Sequence, residues 1–212
     1  MAKSQIISVT LFRSTVAFSA VTLALTSMGC ALFAPQRTSG IDLGPWPQGC
    51  SPREIGKRVA ERYVASPYGN FGRPAPPRYI TYPETCTWYG TLTFAALSGD
   101  MDLRDRLVRR FEPLLTKERS SLIPRADHVD HSVFGVVPLE IFVQTKDNRC
   151  LNIGKAIADT QWMNPNSMGM TPQTRMWIDD MYMITSLQLQ DGLVCFSVGY
   201  GLFRPCATGI YD

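Results

Sequence analysis

The chain has 212 residues, 45% hydrophobic and 18% charged, which suits one globular domain with room for a small second one. Its formal charge of +3 falls to +1 once Lys3 and Arg13, the only charged residues of the first 34, are set aside. A nearly neutral remainder gives no electrostatic footprint for nucleic acid.

The N-terminus reads as a signal peptide over residues 1–34. Lys3 and Arg13 form a positive n-region, and Ser14 to Met28 is an uncharged apolar run of h-region length. Ser27-Met28-Gly29-Cys30-Ala31 resembles a bacterial lipobox without its usual Leu, which marks Cys30 for lipidation and membrane anchoring. Cleavage within Cys30 to Ala34 and a short buried or interfacial helix are the other readings. The expected location is outside the cytoplasm, in the periplasm or at the cell surface. Six cysteines stand at 30, 50, 86, 150, 195 and 206 with no CxxC pair, so no zinc cage is expected. Cys86 and Cys150 fall in helical patterns, where a thiol serves as a small buried hydrophobe.

Residues 35–50 are rich in Pro and Gly and read as a linker. Ser51-Pro52-Arg53-Glu54 is a helix start, with Ser as N-cap, Pro at the first position and Glu at the third. Ile55, Val59, Tyr63 and Val64 then form an apolar stripe. Five prolines between Pro67 and Pro83 predict a loop.

A repeat follows. Trp88 to Leu97 predicts an apolar helix, Ser98-Gly99-Asp100 a turn, and Leu103 to Leu115 an amphipathic helix. Val133 to Val143, Thr145-Lys146-Asp147 and Leu151 to Trp162 repeat that order, with the two turn aspartates 47 residues apart. Trp177 to Leu189 begins a third unit. The first helix of each pair is apolar nearly all round and the second is one-sided, as inner and outer rings of helices require. The fold class is all-α, built of helical hairpins with a toroidal arrangement.

Polar residues before each inner helix would converge at one rim. Trp177-Ile178-Asp179-Asp180 places two carboxylates at a helix start, where they either cap the helix or, with a pKa raised by partial burial, act as a general acid. Asp127-His128-Val129-Asp130-His131 holds both histidines of the chain. It suits sugar-hydroxyl binding, a polar loop capped by Asp130, or a metal site that still needs further ligands. Tyr82 to Tyr89 adds rim aromatics, Trp88 among them, that either stack on sugars or belong to the core. GxSxG, GxGxxG and phosphate-binding Gly loops are absent from the sequence.

Four stretches, YPETCTWYG, IPRADHVDHSVFGVVPLEIFVQT, ADTQWMNP and TRMWIDDMYMITSLQLQ, resemble glycoside hydrolase families 88 and 105, the unsaturated glucuronyl and rhamnogalacturonyl hydrolases. The resemblance runs from about Gly56 to Gln190. It implies an (α/α)6 toroid and a substrate oligosaccharide ending in a 4,5-unsaturated uronic acid. It also implies a metal-free hydration of the vinyl ether, in which an Asp protonates the double bond and activates water. Carried over by motif, Asp180 would be the general acid/base, with Asp179 the alternative one place away, and Asp130 the second acid. His128, Trp177 and Trp88 would line the sugar site with His131 nearby, and Arg175 would meet the substrate carboxylate. No cofactor is implied.

Six hairpins at this repeat need roughly 280 residues, whereas residues 51–190 hold about three. The expectation is therefore an incomplete toroid followed by a divergent, Gly- and Cys-rich tail over 191–212, as a frameshift or early stop would leave. The competing expectation is a non-catalytic exported carbohydrate-binding lipoprotein or an inactive gene remnant.

Overall fold

A computed structural model describes residues 45–197. The proposed leader with Cys30, most of the linker, and the tail beyond residue 197 with Cys206 lie outside the described residues. The chain divides at Trp46/Pro47, and every element below belongs to the unit that starts at Pro47. The described residues form helices and turns and contain no strand, so the described part of the chain is all-α. None of these helices is long and apolar enough to cross a membrane.

Helix α1 (Pro52–Ala65) opens with the expected capping box. Ser51 Oγ accepts from the Glu54 N–H, and Glu54 in turn accepts from the Ser51 N–H. Its buried face differs from the expected stripe: Ala60 and Tyr63 are covered, whereas Ile55 and Val59 face outward. The reason is close approach. A Cβ at Gly56 would stand 2.5 Å from the Phe94 ring, so the helix docks through its small residues.

Helix α2 (Tyr82–Ser98) and helix α3 (Met101–Arg109) form the first hairpin. Helix α3 ends earlier than its periodicity predicts because Pro113 has no N–H for the Arg109 carbonyl. A 3-10 turn over Glu112–Leu115 continues the apolar face, and Leu103, Leu107, Phe111 and Leu114 are all buried. The second hairpin begins with a short helix, α4 (Val129–Ser132), and a 3-10 turn over Val133–Gly135. Helix α5 (Val136–Thr145) and helix α6 (Asn148–Gln161) follow. The break before α5 has the same cause, since Pro138 cannot donate to Phe134.

The repeat is visible in the turns. Gly99 (φ 69°) and Lys146 (φ 62°) are left-handed C-caps, and each is followed by an Asp that caps the next helix. Asp100 accepts from the Leu103 N–H at 3.1 Å and Asp147 from the Arg149 N–H at 2.9 Å. Helix α7 (Asp180–Ser197) starts the third unit and runs on past Gln190 into the expected tail. Val194 is buried there, and Lys155 on α6 lies 3.6 Å from Asp191, which anchors the extension.

Helices α2, α5 and α7 are neighbours in that order; α1 and α3 pack on α2, and α6 packs on α5 and α7. Helix α5 is covered on most sides, as an inner helix should be, whereas α7 is covered on one side only. Trp88, Phe111 and Phe134 form the centre of the core, with ring centroids 5.7 and 6.1 Å apart. Among the described cysteines, Cys50, Cys86, Cys150 and Cys195 are free thiols. Cys150 is buried, and burial pushes its thiol up to about 12.

Two polar assemblies hold the helices in register. Arg110 is enclosed by Tyr63 and Tyr68, each ring 4.5 Å from its guanidinium carbon. It pairs with the buried Glu84 at 2.8 Å, and the other Glu84 oxygen accepts from the Gly69 N–H. The second assembly joins α2, α5 and α7. Tyr89 donates to Gln190, Gln190 donates to Glu140, and Gln144 donates both to Glu140 and to the Leu92 carbonyl.

Candidate functional site

The three helix starts expected to converge do so. Tyr82 from the start of α2 packs on Val129 and Val133 from the second unit and on Met183 and Ile184 from α7. These side chains make a small apolar base that is separate from the main core. The acidic residues stand at its edge.

Arg175 is the hub. Its guanidinium lies 2.8 Å from Asp180, 3.0 Å from Asp179 and 3.5 Å from Asp130. Two carboxylates of one helix start and one from a segment 50 residues earlier thus share a single cation. Three acids against one guanidinium leave this cluster with net negative charge. The loop that carries Arg175 is fixed from both sides. Thr171 donates to the Gln161 carbonyl, and Gln173 Nε2 donates to the Ala126 carbonyl at 2.9 Å. The latter bond ties the Arg175 loop to the His128 segment, and no motif in the sequence announces it.

Asp180 is the most enclosed of the three acids, at 5% exposure. One carboxylate oxygen accepts from the Arg175 N–H at 2.6 Å and the Trp177 N–H at 3.2 Å; the other accepts from Arg175 Nε at 2.9 Å. Its side chain therefore caps the preceding loop rather than the turns of α7. Asp179 fills the N-cap position through its carbonyl, which accepts from the Tyr182 and Met183 N–H groups, while its side chain turns to Arg175.

Burial alone pushes the Asp180 carboxyl up, but the Arg175 side chain and the two backbone N–H donors outweigh it and hold it below the usual carboxylate range. This corrects the expectation that partial burial leaves Asp180 with a raised pKa. In this arrangement Asp180 is an ionised carboxylate with its lone pairs occupied.

The histidine segment is tied into the same rim. His128 accepts from the Asp130 N–H at 3.2 Å, and its ring lies 5.7 Å from that of His131. His131 pairs with Asp127 at 2.8 Å and stands edge-on to Tyr79, 4.7 Å away. The His131 bond holds the Asp127 carboxyl below its ordinary value. Among the described residues no three His, Cys, Asp or Glu side chains converge as metal ligands. Asp127, His128 and His131 therefore lack the arrangement a metal hydrolase needs.

The aromatic candidates divide. Trp88 is 0% exposed and donates from its indole to the Leu107 carbonyl, so it is a core residue that cannot stack on a sugar. This corrects its assignment to the sugar site: helix periodicity turns position 88 toward α3 and away from the rim. Trp177 is 64% exposed with the Arg175 guanidinium 4.8 Å from its ring. It lines an open hollow of about 460 Å³ with Thr174, Met176, Ile178, Asp180 and Met181. Of these, Thr174, Met176, Ile178 and Met181 carry no recognisable binding signal in the sequence.

Comparison of the chain with protein-family models, with curated proteins and with solved structures finds no match.

Proposed function

We propose that the chain is an exported carbohydrate-active protein of the unsaturated glycuronyl hydrolase type, which takes an oligosaccharide ending in an unsaturated uronic acid at the Arg175 rim. One observation carries this reading: Asp130 and Asp180, 50 positions apart, meet on one guanidinium beside a hollow walled by an exposed Trp177. Trp177 offers an apolar face for a sugar ring. The helical hairpins also suit one part of an (α/α)6 toroid.

The negative cluster opposes an anionic uronate unless a partner is exchanged. The substrate carboxylate competes with Asp180 for Arg175. As the guanidinium turns to the sugar, Asp180 loses its main stabilising cation and its pKa rises toward that of a proton donor. Asp180 then protonates the double bond and draws a proton from water. The resulting hemiketal opens, and the glycosidic bond breaks.

The test follows the ultraviolet absorbance of the unsaturated uronide mixed with the purified chain and with its Asp180→Asn and Asp130→Asn variants. Turnover lost in both variants supports the hydrolase. A second reading, binding without catalysis, draws on the occupied lone pairs of Asp180. Saturable sugar binding without turnover, weakened by Trp177→Ala, would establish it. Absence of both binding and turnover in a folded sample refutes either reading.

A further inference from the structure

Helix α7 buries one face against α4, α5, α6 and the Val133–Gly135 turn, touches α2 through the Tyr89–Gln190 bond, and leaves the other face largely bare. This face carries Ile178, just before the helix, then Met181, Tyr182, Leu189, Leu193 and Phe196, with exposures from 44% to 84%; Tyr182, the least exposed, stands at its edge with its hydroxyl bonded to Cys86 on α2. Thr185 and Gly192 fall between them, and no charged residue interrupts the stripe. These six side chains leave on the order of 700 Å² of apolar surface in water, above the largest patch of a typical monomer and close to the roughly 800 Å² each partner buries in a standard interface.

The stripe has an internal symmetry. Positions 178, 182, 185, 189, 192 and 196 alternate four and three apart, the spacing of a seam between two helices. Read from either end, the pattern is the same about position 187. In an antiparallel pair of such helices, Ile178 faces Phe196, Met181 faces Leu193, Tyr182 faces Gly192 and Thr185 faces Leu189. Ile178 and Met181 meet the apolar Phe196 and Leu193, Leu189 meets the small Thr185, and the tyrosine meets the residue without a side chain. Gly192 has nothing within 4 Å of where its Cβ would stand. An exposed glycine inside a helix costs roughly 1 kcal/mol against alanine, with no return inside one copy. A second helix crossing there makes use of it.

We infer that the bare face of α7 is a two-fold interface with a second copy of this chain, formed by antiparallel pairing of the two α7 helices about position 187. Ile178 and Met181 belong both to this face and to the Trp177 hollow. Phe196 and Leu193 of the second copy therefore close the open side of that hollow, and each site is completed by the partner. The interface does not depend on what the hollow binds.

Sedimentation velocity of the full chain under reducing conditions tests this. The expected result is a monomer–dimer equilibrium. Leu189→Glu removes two buried leucines per dimer and should weaken self-association at least about a hundredfold with unchanged helicity. Register is tested by mixing. The Met181→Glu and Leu193→Lys variants should each associate poorly alone and recover a dimer together, because the two altered positions face each other across the pair. A monomer at the highest soluble concentration overturns the inference, and so does a dimer indifferent to Leu189→Glu. Failure of the mixed variants to recover a dimer overturns the register. A monomer whose α7 face binds an apolar dye only after removal of residues 198–212 assigns the face to that segment instead.

Discussion

Replacing Gly154 by alanine tests whether helices α5 and α6 meet as closely as described. A Cβ at position 154 would lie 2.5 Å from Leu139 Cγ and 3.1 Å from the Gly135 carbonyl oxygen. Leu139 is fully buried, and Cγ is the branch point of the side chain, so no small rotation of its end clears the clash. Overpacking of this kind costs about 1–3 kcal/mol, while the better helix propensity of alanine returns about 1 kcal/mol. The net expectation lies between no change and a loss of about 2 kcal/mol, which lowers Tm by up to roughly 8 °C for a chain of this size. Thermal and urea unfolding followed by circular dichroism measure it. The decisive comparison is with Leu139→Ala. That change alone leaves a cavity and costs about 2–5 kcal/mol, but in its presence Gly154→Ala should become neutral or stabilising, because the new methyl fills the space. Additive losses, or a stabilising Gly154→Ala in the wild-type background, would refute the close contact.

Three further outcomes follow from the polar and aromatic contacts. Asp180 has a folded-state pKa below its ordinary 3.8, so its stabilisation is present above that value and lost as pH falls through the folded one. Asp180→Asn should cost about 2 kcal/mol at neutral pH and flatten the acid limb of a stability-versus-pH curve; an unchanged limb would count against the Arg175 cluster. Arg110→Met removes the cation from beside the buried Glu84 and should cost about 3–5 kcal/mol, with part of the loss recovered by the added change Glu84→Gln. Trp88→Ala should cost about 3–5 kcal/mol, whereas Trp177→Ala should leave Tm nearly unchanged and weaken sugar binding. Equal Tm effects at the two tryptophans would contradict their placement in core and rim.

Much of this architecture was legible in the chain itself. Helix class, the hairpin order and the turns at Gly99-Asp100 and Lys146-Asp147 follow from 3.6-residue periodicity and capping chemistry, which act between residues a few positions apart. The interruptions at Pro113 and Pro138 are local too, since each proline withholds one helical hydrogen bond, but the periodicity carries a helix through both and misses them. Pattern also placed the acidic residues at helix starts and made convergence of those starts a reasonable expectation.

Tertiary structure decided what local chemistry could not. Whether Trp88 faces core or rim, whether α1 packs through Ile55 or through Gly56 and Ala60, and whether α7 is covered on one side or two depend on how helices far apart in sequence approach one another. The state of Asp180 depends on the same thing. Its neighbours in sequence suggested a carboxyl raised by burial, but the folded loop brings Arg175 and two backbone donors onto it and reverses the direction. Ionisation follows the sum of burial, charge and hydrogen bonds at one point in space, and only the packed chain brings those together.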